Sequence, residues 1–156
     1  MRATIHHLRG LAATLLMVCA VPGMASDDRG TAGEAQDMVA RAIAYYDEVG
    51  ADAAFARFNN DPVPEFVDRD LYVFVFGPDG KKLVHSIDSS LVGRTLESYI
   101  DVDGKRFGEE MRQTASPDGT WVDYKWKDPV TGEVVHKSSW MVLHDGHLFG
   151  VGIYVQ

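Results

Sequence analysis

The sequence has almost no cysteine. Its 156 residues include one cysteine, Cys19, which lies inside an apolar run near the N terminus. If that run is a leader that is removed from the mature protein, the remaining chain has no cysteine. Such a chain forms no disulfide and has no thiolate nucleophile and no cysteine ligand for a metal. In an oxidising compartment it then depends on its hydrophobic core alone.

The sequence also lacks a hydrophobic run long enough to cross a membrane. The N-terminal run LAATLLMVCAV has eleven residues, whereas a membrane-spanning helix needs about 20. Two arginines precede this run, and the small residue Ala25 follows it. That layout is typical of a secretory signal peptide. We therefore expect residues 1–25 to be a signal peptide, residues 26–33 to be a linker, and the mature protein to be periplasmic or secreted. An uncleaved N-terminal anchor is the alternative.

Positive charge is scarce in this chain. The full sequence has 15 basic and 23 acidic residues and a net charge of −8. The predicted signal peptide contains Arg2 and Arg9 but no acidic residue, so the mature chain would have 13 basic residues and a net charge of −10. Such a surface repels nucleic acids and anionic lipids. An anionic ligand would therefore need a locally positive pocket.

Motifs of common enzymes and metal sites are missing as well. The sequence has no GxSxG, no HExxH and no glycine-rich phosphate loop, so we predict that the protein is not an enzyme and has no cofactor. The segment DVDGKRFGEE fits part of a calcium-binding loop if Gly104 is its sixth position. The first position would then be Tyr99, which cannot bind calcium as an aspartate does. A turn that leads into a helix explains the segment better, and we predict no metal site.

Hydrophobic periodicity predicts one domain over residues 34–156. An apolar stripe at three- and four-residue steps begins after Glu34 and ends at Gly50, which predicts a long helix, and ADAAFARFNN predicts a shorter one. The stripe consists of Met38, Val39, Ala42, Ile43, Tyr46 and Val49. The period then changes to two in LYVFVF, KKLVHSI, TWVDYKWK, EVVHKSSWMVL and HLFGVGIYV, which predicts five strands. Two helices followed by an antiparallel five-strand meander, with a short helix at DGKRFGEEMRQTA, predict an α+β fold.

Several blocks of the sequence resemble a known family. The blocks DLYVFVFGPDGKKLVHSIDSSLVGRTL, DGKRFGEEM, GTWVDYKWKDPVTGEVVHKSSWM and GVGIYV occur in the order found in single Cache domains of the second type. The upstream segment MVARAIAYYDEVGADAAFARFNN is similar to the N-terminal helices of that family. The resemblance implies a PAS-like antiparallel five-stranded sheet with a long N-terminal helix packed along it. It also implies sensing of a small molecule outside the cell, often a small carboxylate, and pairing of two copies through the long helix.

The end of this sequence differs from the usual arrangement of the family. Such domains usually belong to chemoreceptors or sensor kinases, whereas this sequence ends at Gln156, directly after the last predicted strand. We therefore expect extracytoplasmic binding of a small organic anion without an attached output domain, and a membrane receptor or transporter as the partner that reads the bound form. The alternative is an interaction module that docks on another envelope protein, has a filled interior and binds no small molecule.

One predicted hairpin, DYKWKDPVTGEVVHKSSWM, contains three of the candidate ligand-binding residues. Tyr124 and Trp126 lie two residues apart, so they share one face of a strand. They either form the wall of a pocket or belong to the hydrophobic core, and both hold if the pocket is built from core positions. Lys137 shares a face with Ser139 on the following strand. Two interpretations of this lysine stay open. Either it faces water, or it forms a charge-assisted hydrogen bond with the carboxylate of a ligand.

The family resemblance adds a fourth candidate residue. It places a lysine at the position of Lys137, which supports the ligand-binding interpretation, and a histidine at the position of His85. A histidine there either donates a hydrogen bond to a carboxylate or acts as a pH-sensitive gate. The sequence therefore predicts a pocket formed by His85, Tyr124, Trp126 and Lys137.

Overall fold

The structure, a computed structural model, describes residues 29–60 and 63–155. The predicted signal peptide and the first residues of the predicted linker lie outside the described residues. Among the described residues, no helix combines the length and the apolar character needed to cross a membrane.

Two consecutive helices begin the described chain. Helix α1 is Ala32–Val49 and helix α2 is Ala51–Asn60. Thr31 starts α1 through a capping box, in which its side chain accepts a hydrogen bond from the N–H of Glu34 and the Glu34 carboxylate accepts one from the N–H of Thr31. Gly50 ends α1 with a φ of 83°, as a glycine at this position does in many helices. Helix α1 begins before Glu34, so the end of the predicted linker is helical.

The start of the described chain is bound to the domain. The guanidinium of Arg29 donates to the Asp128 carboxylate at 2.7 Å, and the N–H of Gly30 donates to Asp70 at 2.7 Å. Asp70 and Asp128 are both buried. Arg29 and Gly30 thus attach the end of the predicted linker to the domain, because two buried carboxylates accept hydrogen bonds from them.

The remaining elements are a six-stranded sheet, one further α-helix and two short 3-10 helices, Ser89–Leu91 and Leu96–Ser98. The strands are β1 Val67–Asp68, β2 Leu71–Phe76, β3 Lys82–His85, β4 Thr120–Lys127, β5 Val134–His144 and β6 His147–Val155, and helix α3 is Phe107–Thr114. All strand pairs are antiparallel. The five predicted strands and the three predicted helices are therefore confirmed, and the two-residue strand β1 is an addition.

The strand order differs from the predicted meander. The order is β3, β2, β6, β5 and β4, with β1 on the same side of β2 as β3. Strand β6 thus lies in the centre, between β2 and β5. In a meander β6 would be an edge strand. Because most residues of β6 are buried, the central position is the one that satisfies its backbone and covers both of its faces.

The sheet separates two hydrophobic cores. One core lies between the sheet and helices α1 and α2, and the other lies between the opposite face and helix α3. The predicted stripe of α1 faces the first core, except that Val49 is 38% exposed. The second core is unusually aromatic: it contains Tyr72, Phe74, Phe76, Tyr99, Phe107, Tyr124 and Tyr154. This second core holds the predicted site residues.

A glycine allows helix α3 to approach the segment before it. The N–H of Gly108 donates to the carbonyl of Tyr99 at 3.2 Å, and a Cβ atom at this position would overlap the carbonyl oxygen of Leu96. We expect Gly108→Ala to lower the free energy of unfolding by about 1–3 kcal/mol, because backbone must move to accept the methyl group. Urea denaturation measures the change.

Gly33→Ala provides the matched control. Gly33 lies in the first turn of α1, is exposed, and has open space where the methyl group would be. Its replacement should leave stability unchanged or raise it by up to about 1 kcal/mol, because alanine favours helix. Equal effects of the two substitutions would contradict the close approach of α3.

Candidate ligand-binding site

Lys137 points into the second core. Strand β5 alternates between its two faces: Ser139 and Met141 are buried on the side of Lys137, while His136 on the other side is exposed. Lys137 itself is 1% exposed. The interpretation that this lysine faces water is therefore wrong.

The side chain of Lys137 crosses β6 and reaches β2. Its Nζ donates to the hydroxyl of Tyr72 at 2.5 Å and to the hydroxyl of Tyr154 at 3.2 Å. The path over β6 is open because residue 152 is glycine, and a Cβ atom there would overlap the Cε atom of Lys137. The lysine therefore lies across three strands, with tyrosine hydroxyls as its hydrogen-bond partners.

No carboxylate pairs with Lys137 among the described residues: its Nζ contacts hydroxyls and ring faces only. Burial lowers the pKa of Lys137 well below its ordinary value, and the nearby charge of Lys82 lowers it further. Asp70 and Asp128 act in the opposite direction from a distance. The group is thus a buried amine whose protonated form lacks a counter-ion.

Tyr124 and Trp126 form part of the wall around this amine. The hydroxyl of Tyr124 lies 2.8 Å from the hydroxyl of Ser139, and its ring stacks on Phe107 of α3 at 4.0 Å. Burial raises the pKa of Tyr124, so the phenol is protonated at neutral pH. Trp126 is half-buried and packs edge-on against Phe107 at 5.6 Å. Tyr124 is therefore a fixed part of the core, whereas Trp126 lies at its border.

His85 lies in the same cavity. It is 3% exposed, and its ring centre is 4.9 Å from that of Tyr72. Its Nδ1 has no hydrogen-bond partner among the described residues. Burial, followed by the charges of Lys82 and Lys137, lowers the pKa of His85 to about 2. A neutral ring favours the interpretation as a hydrogen-bond partner of a ligand over that as a pH-sensitive gate.

The sequence reasoning missed a second buried lysine, Lys82. This residue is 4% exposed, and its Nζ lies 4.9, 4.6 and 4.4 Å from the ring centres of Phe74, Phe76 and Tyr99. Within the described residues the Nζ of Lys82 forms no hydrogen bond or ion pair, and these rings are its contacts. Burial, followed by the charge of Arg94, lowers the pKa of Lys82 to about 7. The alternation of a regular strand places Lys82 and His85 on opposite faces of β3, so the sequence pattern did not assign Lys82 to the site of His85.

All four predicted residues line one cavity together with Lys82 and five further aromatic residues. The lining residues are Tyr72, Phe74, Phe76, Lys82, His85, Tyr99, Phe107, Tyr124, Trp126 and Lys137. The cavity has a volume of about 10 Å³, which is the space of about one water molecule. A carboxylate enters only when a side chain of the wall moves.

An open cleft adjoins the cavity. It has a volume of about 560 Å³ and lies between the segment after β3 and the turn from β4 to β5. Tyr72, His85 and Trp126 line both the cavity and the cleft. Trp126 is the one of these three that is half-buried and not fully buried. It is therefore the side chain best placed to open the cavity to solvent.

A larger depression, of about 670 Å³, lies on the opposite face of the sheet. Trp121, Asp123, His136, Ser138 and Ile153 line it, and each of these side chains is exposed or half-buried. Lys137 also contributes to its lining, but the Nζ of this lysine donates to the hydroxyls of Tyr72 and Tyr154 in the second core. The smaller cavity is the better candidate, because unpartnered buried polar groups surround it.

The segment that fits part of a calcium loop is a turn. Asp101 accepts hydrogen bonds from the N–H groups of Asp103, Lys105 and Lys125 at 3.0, 2.9 and 3.0 Å, and Glu110 pairs with Lys105 at 2.7 Å. Among the described residues, no group of three histidines, cysteines or acids is placed to hold a metal ion. These carboxylates stabilise the turn before α3, as turn aspartates commonly do.

Residues 13–147 match the family Single Cache domain 2. The protein belongs to this family. The family resemblance inferred from the sequence blocks is therefore confirmed. Cache domains are sensor modules that bind ligands, are not catalytic and work outside the cytoplasm, which agrees with the general class predicted above.

Three relatives illustrate the similarity. The sensor histidine kinase MctS of Rhizobium johnstonii (strain DSM 114642 / LMG 32736 / 3841) is 32% identical over 114 residues, which are 70% of this chain and 25% of the kinase. This chain thus spans about a quarter of the length of that relative. A methyl-accepting chemotaxis protein of Vibrio parahaemolyticus RIMD 2210633 has a TM-score of 0.64 at 18% identity, over 80% of this chain and 88% of that one. A Cache chemosensory domain known for carboxylic acid recognition has a TM-score of 0.62 at 20% identity, over 80% of this chain and 92% of that one. The two structures confirm the predicted fold.

Replacement of either buried lysine by methionine is expected to stabilise the protein at neutral pH. The pKa of both lysines is lowered on folding, so folding costs free energy wherever the unfolded lysine is protonated. For Lys82 this cost is complete below about pH 7 and disappears as the pH rises through the unfolded value of 10.5. We expect Lys82→Met and Lys137→Met each to raise the free energy of unfolding by roughly 1–4 kcal/mol at pH 7. Urea denaturation at pH 7 measures the gain in the free energy of unfolding, and the same measurement near pH 10.5 shows whether the gain is lost.

Lys81→Met is the control for this prediction. Lys81 is exposed and pairs with Asp79 at 3.0 Å, so its replacement should change stability by no more than about 0.5 kcal/mol. A destabilised Lys82→Met variant would mean that the lysine has a structural role that its contacts do not reveal.

Proposed function

We propose that this protein binds a short carboxylate in the periplasm or outside the cell, with Lys137 as the cation that meets it. One observation carries the proposal: Lys137 is 1% exposed and has no acidic partner among the described residues. Burial of an ammonium group without a counter-ion is unfavourable. A carboxylate in the cavity removes that cost through a charge-assisted hydrogen bond.

The remaining groups of the cavity have complementary tasks. Tyr72 and Tyr154 hold the amine of Lys137 through their hydroxyls. His85, neutral and with a free Nδ1 among the described residues, hydrogen-bonds the ligand. Tyr124 fixes the shape of the wall, and Trp126 separates the cavity from the outer cleft. The arrangement is that of a binding site, since it has an anchoring charge and an apolar wall.

The comparisons support this proposal by analogy. A Cache chemosensory domain that recognises carboxylic acids has a TM-score of 0.62 with this chain, and a relative that is 32% identical is a sensor kinase. In the proposed role, a membrane receptor or transporter reads the bound form of this protein.

Binding of short carboxylates by the purified protein tests the proposal. We expect acetate, propionate, lactate or pyruvate to bind, as measured by titration calorimetry and thermal unfolding. Ligand at 100 times its dissociation constant stabilises a protein by about 2.7 kcal/mol, which raises the unfolding temperature of a domain of this size by several degrees. Lys137→Met should bind none of these ligands, because the anchoring charge is gone, whereas Lys81→Met should bind them like the parent protein.

Two results would contradict the proposal. If the parent protein responds to no carboxylate, an interaction module with a filled interior explains the protein better. If Lys137→Met binds a carboxylate as tightly as the parent protein does, the anchoring charge lies elsewhere.

Carboxylate binding is also expected to take up protons. Arg94 and Asp88 act on the charge of Lys82, and Lys82 in turn acts on Lys137 and His85, while burial together with Arg94 holds the pKa of Lys82 at about 7. An anion in the cavity favours the protonated forms of both lysines. Affinity should therefore fall as the pH rises from about 6 to about 9, with net proton uptake near neutral pH.

Calorimetry in buffers of different ionisation enthalpy measures this uptake. Lys82→Met should take up fewer protons than the parent protein, because one of the two titrating amines is missing. An affinity that is constant over this pH range would show that the lysines do not change protonation on binding.

A further inference from the structure

Polar groups without partners also surround the part of the cavity that lies around Lys82 and Tyr99. The hydroxyl of Tyr99 and the Nδ1 of His85 have no hydrogen-bond partner within the described part of the chain, and the Nζ of Lys82 contacts ring faces there. The three side chains are at most 4% exposed. Buried polar groups in folded proteins nearly always have a partner. A carboxylate held by Lys137 alone would leave Lys82 and Tyr99 without one.

The two lysine amines occupy successive positions along a row of rings on β2. The row consists of Tyr72, Phe74 and Phe76, whose neighbouring ring centres lie 6.4 and 6.1 Å apart. The Nζ of Lys137 lies 4.0 Å from the centre of Tyr72 and 5.9 Å from that of Phe74. The Nζ of Lys82 lies 4.9 Å from the centre of Phe74 and 4.6 Å from that of Phe76. The two amines are thus offset from each other by about the spacing of two neighbouring rings, which is roughly 7 Å along the strand.

We propose that the ligand is a short dicarboxylate, with one carboxylate at Lys137 and the other at Lys82 and Tyr99. This inference rests on the proposed function, since it names the ligand class of the same site. Two cations beside one ring repel each other, and a single carboxylate compensates only one of them. A dicarboxylate supplies one counter-ion to each amine, and the Tyr99 hydroxyl donates to the second carboxylate.

The separation of the two amines also distinguishes this ligand from a compact dianion. Sulfate concentrates its charge on one centre, whereas the two amines are associated with different ring pairs. Tyr154 and Tyr72 border Lys137 alone, and Phe76 and Tyr99 border Lys82 alone. Two charges joined by a short carbon chain match this division better than one charge centre does.

The space for such a ligand comes from the border with the outer cleft. The cavity by itself has room for about one water molecule, so a dicarboxylate requires Trp126 to move and join the cavity to the cleft. The cleft is lined by Lys127 as well as by Asp88 and Asp128, and Asp128 is paired with Arg29 at 2.7 Å. The cleft therefore has charges of both signs, whereas the two lysines of the cavity have no acidic partner among the described residues. The dicarboxylate is therefore held at the two lysines and not at the entrance.

Malonate and propionate are the matched ligands for a test, because they share a three-carbon chain and differ by one carboxylate. Titration calorimetry at constant pH and ionic strength measures both affinities. The parent protein should bind malonate at least tenfold more tightly than propionate. Lys82→Met should lose this preference while its affinity for propionate changes less than threefold, and Tyr99→Phe should weaken malonate binding more than propionate binding. Lys137→Met should bind neither ligand, and Lys81→Met should bind like the parent protein.

Several results would overturn the inference. Equal affinity of the parent protein for malonate and propionate would do so, and so would a preference for malonate that persists in Lys82→Met. If Lys82→Met loses both ligands but keeps a cooperative unfolding transition, the two lysines share one carboxylate. Binding of sulfate as tightly as malonate would indicate a compact dianion. Absence of all carboxylate binding in the parent protein is a different result, because it contradicts the proposed function itself.

Discussion

A buried lysine amine without an acidic partner is the constraint around which the second core is arranged. Lys137 lies in the middle of β5, and its protonated form is costly in surroundings without water. Two features lower that cost. The hydroxyl oxygens of Tyr72 and Tyr154 accept its hydrogen bonds, and the faces of the same rings present negative potential to the cation. Both features depend on Gly152, since any side chain there would block the path of the lysine across β6.

The central position of β6 makes this arrangement possible. Strand β6 pairs with β2 on one side and with β5 on the other, so a side chain from β5 meets one from β2 after crossing a single strand. Tyr154 on β6 connects this contact to the entrance of the site, because its hydroxyl donates to the carbonyl of Lys127 at 2.9 Å. Lys127 begins the turn that borders the outer cleft. Tyr154 therefore contacts both the amine of Lys137 and the rim of the outer cleft.

The sequence pattern was sufficient to predict the main helices and strands and to place one of the two lysines in the site. Alternation along β5 groups Lys137 with Ser139, and the structure agrees. The same rule separates Lys82 from His85, because they are three residues apart. A register shift between β2 and β3 places both in the cavity, and such irregularities have no reliable local signal. The strand order and the burial of Lys137 depend on pairing between distant segments, which local periodicity does not specify.

Stability and binding oppose each other in a site of this kind. The two amines lose their hydration when the chain folds, and the surrounding rings and hydroxyls already hold them in place. An anion that enters therefore loses its own hydration but does not have to order the groups that receive it. A lysine retained for structure would have an acidic partner inside the fold, and the fold would weaken without it. Lys82 and Lys137 have no such partner among the described residues, so the fold alone does not account for two buried amines in one cavity.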